Sequence, residues 1–139
     1  MPALRIRTGT AKDQKLVERL SVEAWAGAPD AFASRPDEIA QLFGEEGRVV
    51  LFAESDGKTM GYLAGVQLGR TLGIEEVAVL PEFRRMGIGR ALVAFALQNA
   101  AQQGAVLSVS ESNKPARALY RSLGFVQSAR KIVMERRAG

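Results

Sequence analysis

The chain contains no cysteine and no histidine in 139 residues. These two absences exclude a disulfide framework, a thiolate nucleophile, a zinc site of Cys/His type and an imidazole base. No metal is expected, and any proton transfer falls to carboxylate, tyrosine, lysine or water. Aromatic residues are sparse, at 6% with a single tryptophan, too few to interleave with basic residues as a nucleic-acid stacking surface. No apolar run approaches the ~20 residues that span a bilayer, and no signal-peptide core opens the chain, so a cytoplasmic protein with no membrane partner is expected. Repeats, low-complexity tracts and interdomain linkers are also lacking. Charge of one sign does not dominate: nineteen basic against fifteen acidic residues give a net charge of +4. That balance permits a polyanionic ligand without demanding nucleic acid, because acids interleave with the bases. Arg130, Lys131, Arg136 and Arg137 form the one basic cluster, and the solvated ends of a last strand account for it.

What is present is an ordinary globular composition, 47% apolar and 24% charged, of a length that suits one domain over 1–139. Ala3 to Arg7 alternates as a strand does. Thr10 and Asp13 then form a capping box ahead of Leu16, Val17, Leu20 and Ala24 at helical spacing. Pro29 and Pro36 bracket a loop, and a short helix opened by proline fits Pro36 to Leu42. Arg48–Glu54 and Met60–Leu68 read as a hairpin turning over Ser55–Thr59, followed by a strand over Leu72–Leu80. Ile88, Leu92, Phe95, Ala96 and Ala100 mark a helix ending near Gly104, and Ala105–Ser110 is a further strand. Ala116, Leu119, Tyr120 and Leu123 mark a last helix with Pro115 in its first turn and Gly124 closing it. Phe125–Arg136 reads as one long or two short strands. The order is that of an α+β domain whose central mixed sheet is flanked by helices.

The segment with most chemical content runs from Ile74 to Leu97: an apolar strand, Pro81, Arg84 and Arg85, Gly87 and Gly89, then a helix. The helix start offers unpartnered N–H groups and a dipole that favours negative charge, while the glycines allow close approach. Two arginines at that end oppose the dipole unless an anion separates them from it, so a phosphate or pyrophosphate is the expected guest. A dinucleotide fingerprint fails, because its third small residue falls on Leu92. A P-loop at Gly57-Lys58-Thr59 fails too, because Phe52 stands where its first glycine belongs; Asp56-Gly57 reads as a hairpin turn.

Arg84, Arg85-Met86, Gly87, Ile88, Gly89 resembles the nucleotide loop of the GNAT superfamily of acyl-CoA-dependent N-acyltransferases. Val77-Ala78-Val79-Leu80-Pro81 is similar to the strand and proline before that loop. Asn113 to Phe125, with Ala118, Leu119-Tyr120 and Gly124-Phe125, is similar to the family's second signature. In order and spacing the resemblance extends from about Arg5 to the C-terminus. It implies a three-layer α/β/α fold, mostly antiparallel, whose strands over Leu72–Leu80 and Ala105–Ser110 splay apart. It implies acetyl-CoA as co-substrate, held by the main chain of Arg85, Met86, Gly87, Ile88, Gly89 and Arg90 and by the arginine side chains. Val77, Ala78 and Val79 would pair with pantetheine, one of their N–H groups polarising the thioester carbonyl. Asn113 and Arg117 would complete the cofactor contacts, with a helix cap an equal reading of Asn113.

Tyr120 is the position that protonates the departing thiolate in many members, a core aromatic beside Leu119 and Leu123 being its other reading. An alkylamine with a pKa near 10.4 arrives as ammonium and needs a base. Glu75 and Glu76 are the candidates, pointing to opposite faces in a regular strand; Glu75 is favoured by the resemblance, and water could replace either. With no cysteine to carry the acyl group, transfer would go directly from acetyl-CoA to a primary amine in a ternary complex. The acceptor, a small-molecule or peptide amine, would be read by residues 25–47 and 67–73, with Trp25, Phe32 and Phe43 lining a pocket or merely packing. A peptide N-terminal acetylase is the near alternative, weakened by Ser108 where that group has an acidic residue. A non-catalytic acyl-CoA-binding module is the alternative of another class, and homodimers are common in the superfamily.

Overall fold

The computed structural model describes residues 4–25, 46–132 and 134–136. The chain divides into two compact units, Met1–Ser108 and Val109–Gly139.

In the first unit five strands stand side by side in chain order: β1 Arg5–Thr8, β2 Arg48–Ser55, β3 Lys58–Leu68, β4 Thr71–Val79 and β5 Ala105–Leu107. The first four pair antiparallel and β5 lies parallel to β4. Helix α1, Gln14–Trp25, follows a 3-10 turn over Ala11–Asp13, and α2 covers Ile88–Ala100. The Thr10–Asp13 capping box forms, Thr10 N–H donating to Asp13 Oδ2 at 2.8 Å. At the hairpin, Asp56 (φ 51°) and Gly57 (φ 76°) both take left-handed backbone, the geometry of a type I′ turn.

Strand alternation separates the two faces of this sheet. Val50, Phe52, Tyr62, Ala64 and Ala78 pack with Val17, Leu20 and Ala24 of α1. The residues between them, Leu51, Ala53 and Leu63, are buried on the other face, where α2 contacts β2, β3 and β4 through its own buried Ile88, Leu92, Val93 and Ala96. Phe95 and Ala100 of the expected helix face are half-buried. The unit is thus an α/β/α sandwich around a mixed, mostly antiparallel sheet.

The second unit contains helix α3, Lys114–Ser122. It ends in a Schellman motif: Gly124 at φ 94° donates to Arg121 O at 3.0 Å, and Phe125 N–H donates to Tyr120 O at 3.0 Å. The apolar contact such a motif brings together is Tyr120 on Phe125, edge to face with centroids 5.6 Å apart.

Two sequence expectations are corrected. Among the described residues from 125 to 136 no strand forms; Val126, Ile132 and Met134 are at least 85% exposed. Alternation is a necessary feature of a strand, but only a neighbour's hydrogen bonds make one. The strand over Ala105–Ser110 stops at Leu107, where its pairing with β4 stops. The helix over Pro36–Leu42 and the side chains of Trp25, Phe32 and Phe43 lie outside the described residues.

Candidate active site

Strand β4 carries the first half of the site. Its pairing with β5 lasts only for Leu72, Gly73 and Ile74, opposite Ala105, Val106 and Leu107. Immediately beyond, the register with β3 slips: Gly65 faces Ile74 and Ala64 faces Glu76, so Glu75 is an inserted bulge residue. A bulge twists the strand further, and beyond it, to Val79, β4 keeps β3 as its one strand partner among the described residues. Val77, Ala78 and Val79 lie in this stretch.

The bulge also decides where the two carboxylates go. In a regular strand Glu75 and Glu76 would take opposite faces; with one residue inserted, both reach the α1 side. Arg48, two residues before the core residue Val50, donates from Nη1 to both oxygens of Glu75 at 2.7 and 2.9 Å. Tyr62, fully buried under α1, donates its hydroxyl to Glu76 Oε1 at 2.6 Å. Burial, then the charge of Glu76 and the bond to it, push the Tyr62 phenol far above its usual range. The half-exposed Glu75 is therefore ion-paired, and the half-buried Glu76 is hydrogen-bonded to a neutral phenol.

The strand leads into a 3-10 turn, Pro81–Phe83, with proline at its first position, and then into the loop of arginines and glycines. Arg84 spends its guanidinium on the main chain, donating to Val79 O at 3.2 Å and to Ala24 O in the last turn of α1. It fastens the loop to the helix on the far side of β4. Arg85 is exposed and left-handed (φ 64°), and Gly87 is left-handed again (φ 80°) with open space where a Cβ would stand. Gly87 is therefore required by backbone shape, and the space beside it admits a ligand. Gly87 is also the N-cap of α2: the first helical bond runs from Ala91 N to Gly87 O at 3.0 Å. The N–H groups of Ile88 and Gly89 stand in the first turn, ahead of the first helical bond. Ile88 is buried and anchors it, while Arg90 is exposed on the first turn.

In the second unit Asn113 is the N-cap of α3, its Oδ1 accepting from Ala116 N at 3.2 Å. Arg117 donates to Glu111 O at 3.1 Å. Tyr120 is half-buried against Phe125, and burial raises its phenol pKa. Tyr62, Ser21 and Arg48 escaped the sequence reading. One signal was available: Ser21 sits in the apolar stripe of Val17, Leu20 and Ala24, where a hydroxyl requires a buried partner.

Beyond the bulge β4, without a β5 partner among the described residues, runs into the start of α2, and the profile of the acetyltransferase (GNAT) family matches residues 16–125. The chain belongs to this family. An uncharacterised N-acetyltransferase of Archaeoglobus fulgidus is 31% identical over 133 residues, covering 86% of this chain and 90% of that protein. The ribosomal-protein-S18-alanine N-acetyltransferase of Escherichia coli superposes with a TM-score of 0.81 at 25% identity, over 91% of this chain and 80% of that one. AAC(6′)-Iy, solved with the bisubstrate analogue CoA-S-monomethyl-acetylneamine, gives 0.77 at 20% identity over 98% and 99%. The GNAT chain is thus an acyl-CoA-dependent acetyltransferase with a CoA-derived co-substrate. The bulged strand, the twin left-handed residues and the open side of Gly87 fit that group.

Proposed function

We propose that this acetyltransferase moves the acetyl group of acetyl-CoA directly to a primary amine, with both substrates bound together. The observation that carries the reading is the continuous track from the β4 stretch without a β5 partner, Glu75 to Val79, to the left-handed turn at Arg85–Gly87 that opens α2. On this reading the main chain from Arg85 to Arg90 holds the diphosphate, with the Arg85 and Arg90 side chains adding charge. Arg84 contributes its main chain and the position of the loop. Val77, Ala78 and Val79 pair with the pantetheine arm as an added strand would, and an N–H there polarises the thioester carbonyl. Asn113 and Arg117 add contacts from the α3 start.

The chemistry is balanced by two proton movements. A glutamate of the bulge takes a proton from the incoming ammonium, and the neutral nitrogen attacks the carbonyl carbon. The C–N bond forms, the C–S bond breaks, and the proton that the nitrogen sheds on becoming an amide passes to the leaving sulfur, toward which Tyr120 directs its O–H. Because a phenol, here raised further by burial, is a weaker acid than a thiol of pKa about 8.5, its contribution is a hydrogen bond that strengthens as charge develops on sulfur.

The acceptor is a small-molecule or peptide amine. The structural likeness to the S18-alanine enzyme, at a TM-score of 0.81, supports a peptide N-terminal acetylase as the second reading. A thiol-release assay with acetyl-CoA over polyamines, aminoglycosides, lysine derivatives and short peptides distinguishes the two, alongside calorimetric titration of acetyl-CoA. Intersecting initial-rate lines are expected, and parallel lines would contradict direct transfer. Tight binding without turnover on any amine would indicate an acyl-CoA-binding module instead.

A further inference from the structure

Ser21, Tyr62 and Glu76 form a chain of polar groups in the apolar layer between α1 and the sheet. Ser21 and Tyr62 are fully buried, and Glu76 is half-buried. Tyr62 donates to Glu76 Oε1 at 2.6 Å. A carboxylate only accepts, so this bond commits the one proton of the phenol, and the Ser21 hydroxyl, hydrogen-bonded to Tyr62, is left as donor to the phenol oxygen. The order Ser21 to Tyr62 to Glu76 is thereby directional. Packing does not account for it: phenylalanine and alanine would fill the same positions in a layer made of Val17, Leu20, Phe52 and Ala64.

We propose that Tyr62 is a positioning residue which, oriented by Ser21, fixes the carboxylate of Glu76 as the group that takes the proton of the amine. The proposal rests on the direct-transfer reading above, in which one of the two bulge glutamates is the base. It selects between them on geometry. Both oxygens of Glu75 lie on the Arg48 cation, so protonating Glu75 breaks an ion pair. Tyr62 is neutral, and its bond leaves the charge of Glu76 in place. Glu76 also adjoins Val77, the first residue of the edge assigned to the thioester arm, within the stretch where β4 has parted from β5.

Tyr62→Phe keeps the ring in its layer and deletes only the hydroxyl. It should lower kcat/KM for the amine about tenfold to a hundredfold. The acidic limb of the pH–rate profile should move to higher pH, because a carboxylate that loses a donor is harder to ionise. Acetyl-CoA affinity should be unchanged. Ser21→Ala should move the limb the same way by less, and Glu76→Gln should lose more activity than Tyr62→Phe. A wild-type limb and rate in Tyr62→Phe, or a fully active Glu76→Gln, would overturn the proposal. Absence of turnover by the wild-type chain on every amine would count against the direct-transfer reading alone. Carbon-13 titration of the Glu76 carboxyl in wild type and Tyr62→Phe then decides the positioning role: an upward displacement supports it, and coincident curves refute it.

Discussion

Single residues in this chain are read very differently once their partners are known. Asn113, which the family pattern assigns to pantetheine and local chemistry assigns to a cap, has its oxygen on Ala116 N–H as a cap would. The Tyr120-to-Phe125 spacing of the second signature is also the C3-to-C″ spacing of a Schellman end, so part of that motif has a local structural reason. Its phenol is the part that packing does not require. Tyr120→Phe should therefore reduce kcat by about a hundredfold while calorimetry finds the same acetyl-CoA affinity, and an unaltered kcat would remove the residue from the chemistry. Glu75 and Arg48 show the limit of reading residues singly: their contact spans 27 positions and crosses β3. Nothing local to either residue announces it.

At the scale of elements, two devices fix the sheet, one at the bulge of β4 and one toward its β1 edge. The first is the close approach of β3 and β4 at the bulge. A Cβ on Gly65 would stand 2.5 Å from the carbonyl oxygen of Gly73, a backbone atom that cannot turn aside. Gly65→Ala should cost about 1–3 kcal/mol in urea unfolding, and it should depress turnover as well, because relief of the clash shifts the bulge that carries Glu75 and Glu76. The second is the junction of β1, the 3-10 turn ahead of α1 and β2. Arg7 lies over the Phe52 ring at 4.6 Å, holds Asp13 through two bonds of 2.9 and 3.0 Å, and pairs with Glu54. The bonds from Arg7 keep Asp13 below the usual carboxylate range. A depressed carboxylate stabilises the fold above its unfolded-state pKa of about 3.9, and this contribution is lost as pH falls through that value toward the folded one. That stability should be lost progressively as pH falls below about 5, and Asp13→Asn should flatten this part of the profile in urea unfolding. The sequence showed Thr10 and Asp13 as a capping box because both lie within one turn. It was silent on Arg7 and Glu54, which meet across a strand pair.

For the whole molecule, the decisive property is affinity for a polyanionic carrier in a chain of net charge +4. Acetyl-CoA at about a hundred times its Kd should raise the melting temperature by roughly 5–10 °C, measurable by differential scanning fluorimetry. The shift should shrink as sodium chloride is raised, since exposed charges such as Arg85 are screened. A shift equal to that given by inorganic salt of the same ionic strength would remove the specific site. The sequence by itself determined the glycine turn, the strand and helix that flank it and the family, because a helix start, its glycines and its capping residues interact within a few positions and leave a fixed spacing. The tertiary structure alone decided that β4 bulges at Glu75, that both glutamates reach the α1 face, and that Tyr62, Ser21 and Arg48 stand behind them. Those outcomes depend on the register of β3 against β4, a balance of side-chain volumes and hydrogen bonds between residues far apart in the chain, and no short stretch of sequence records it.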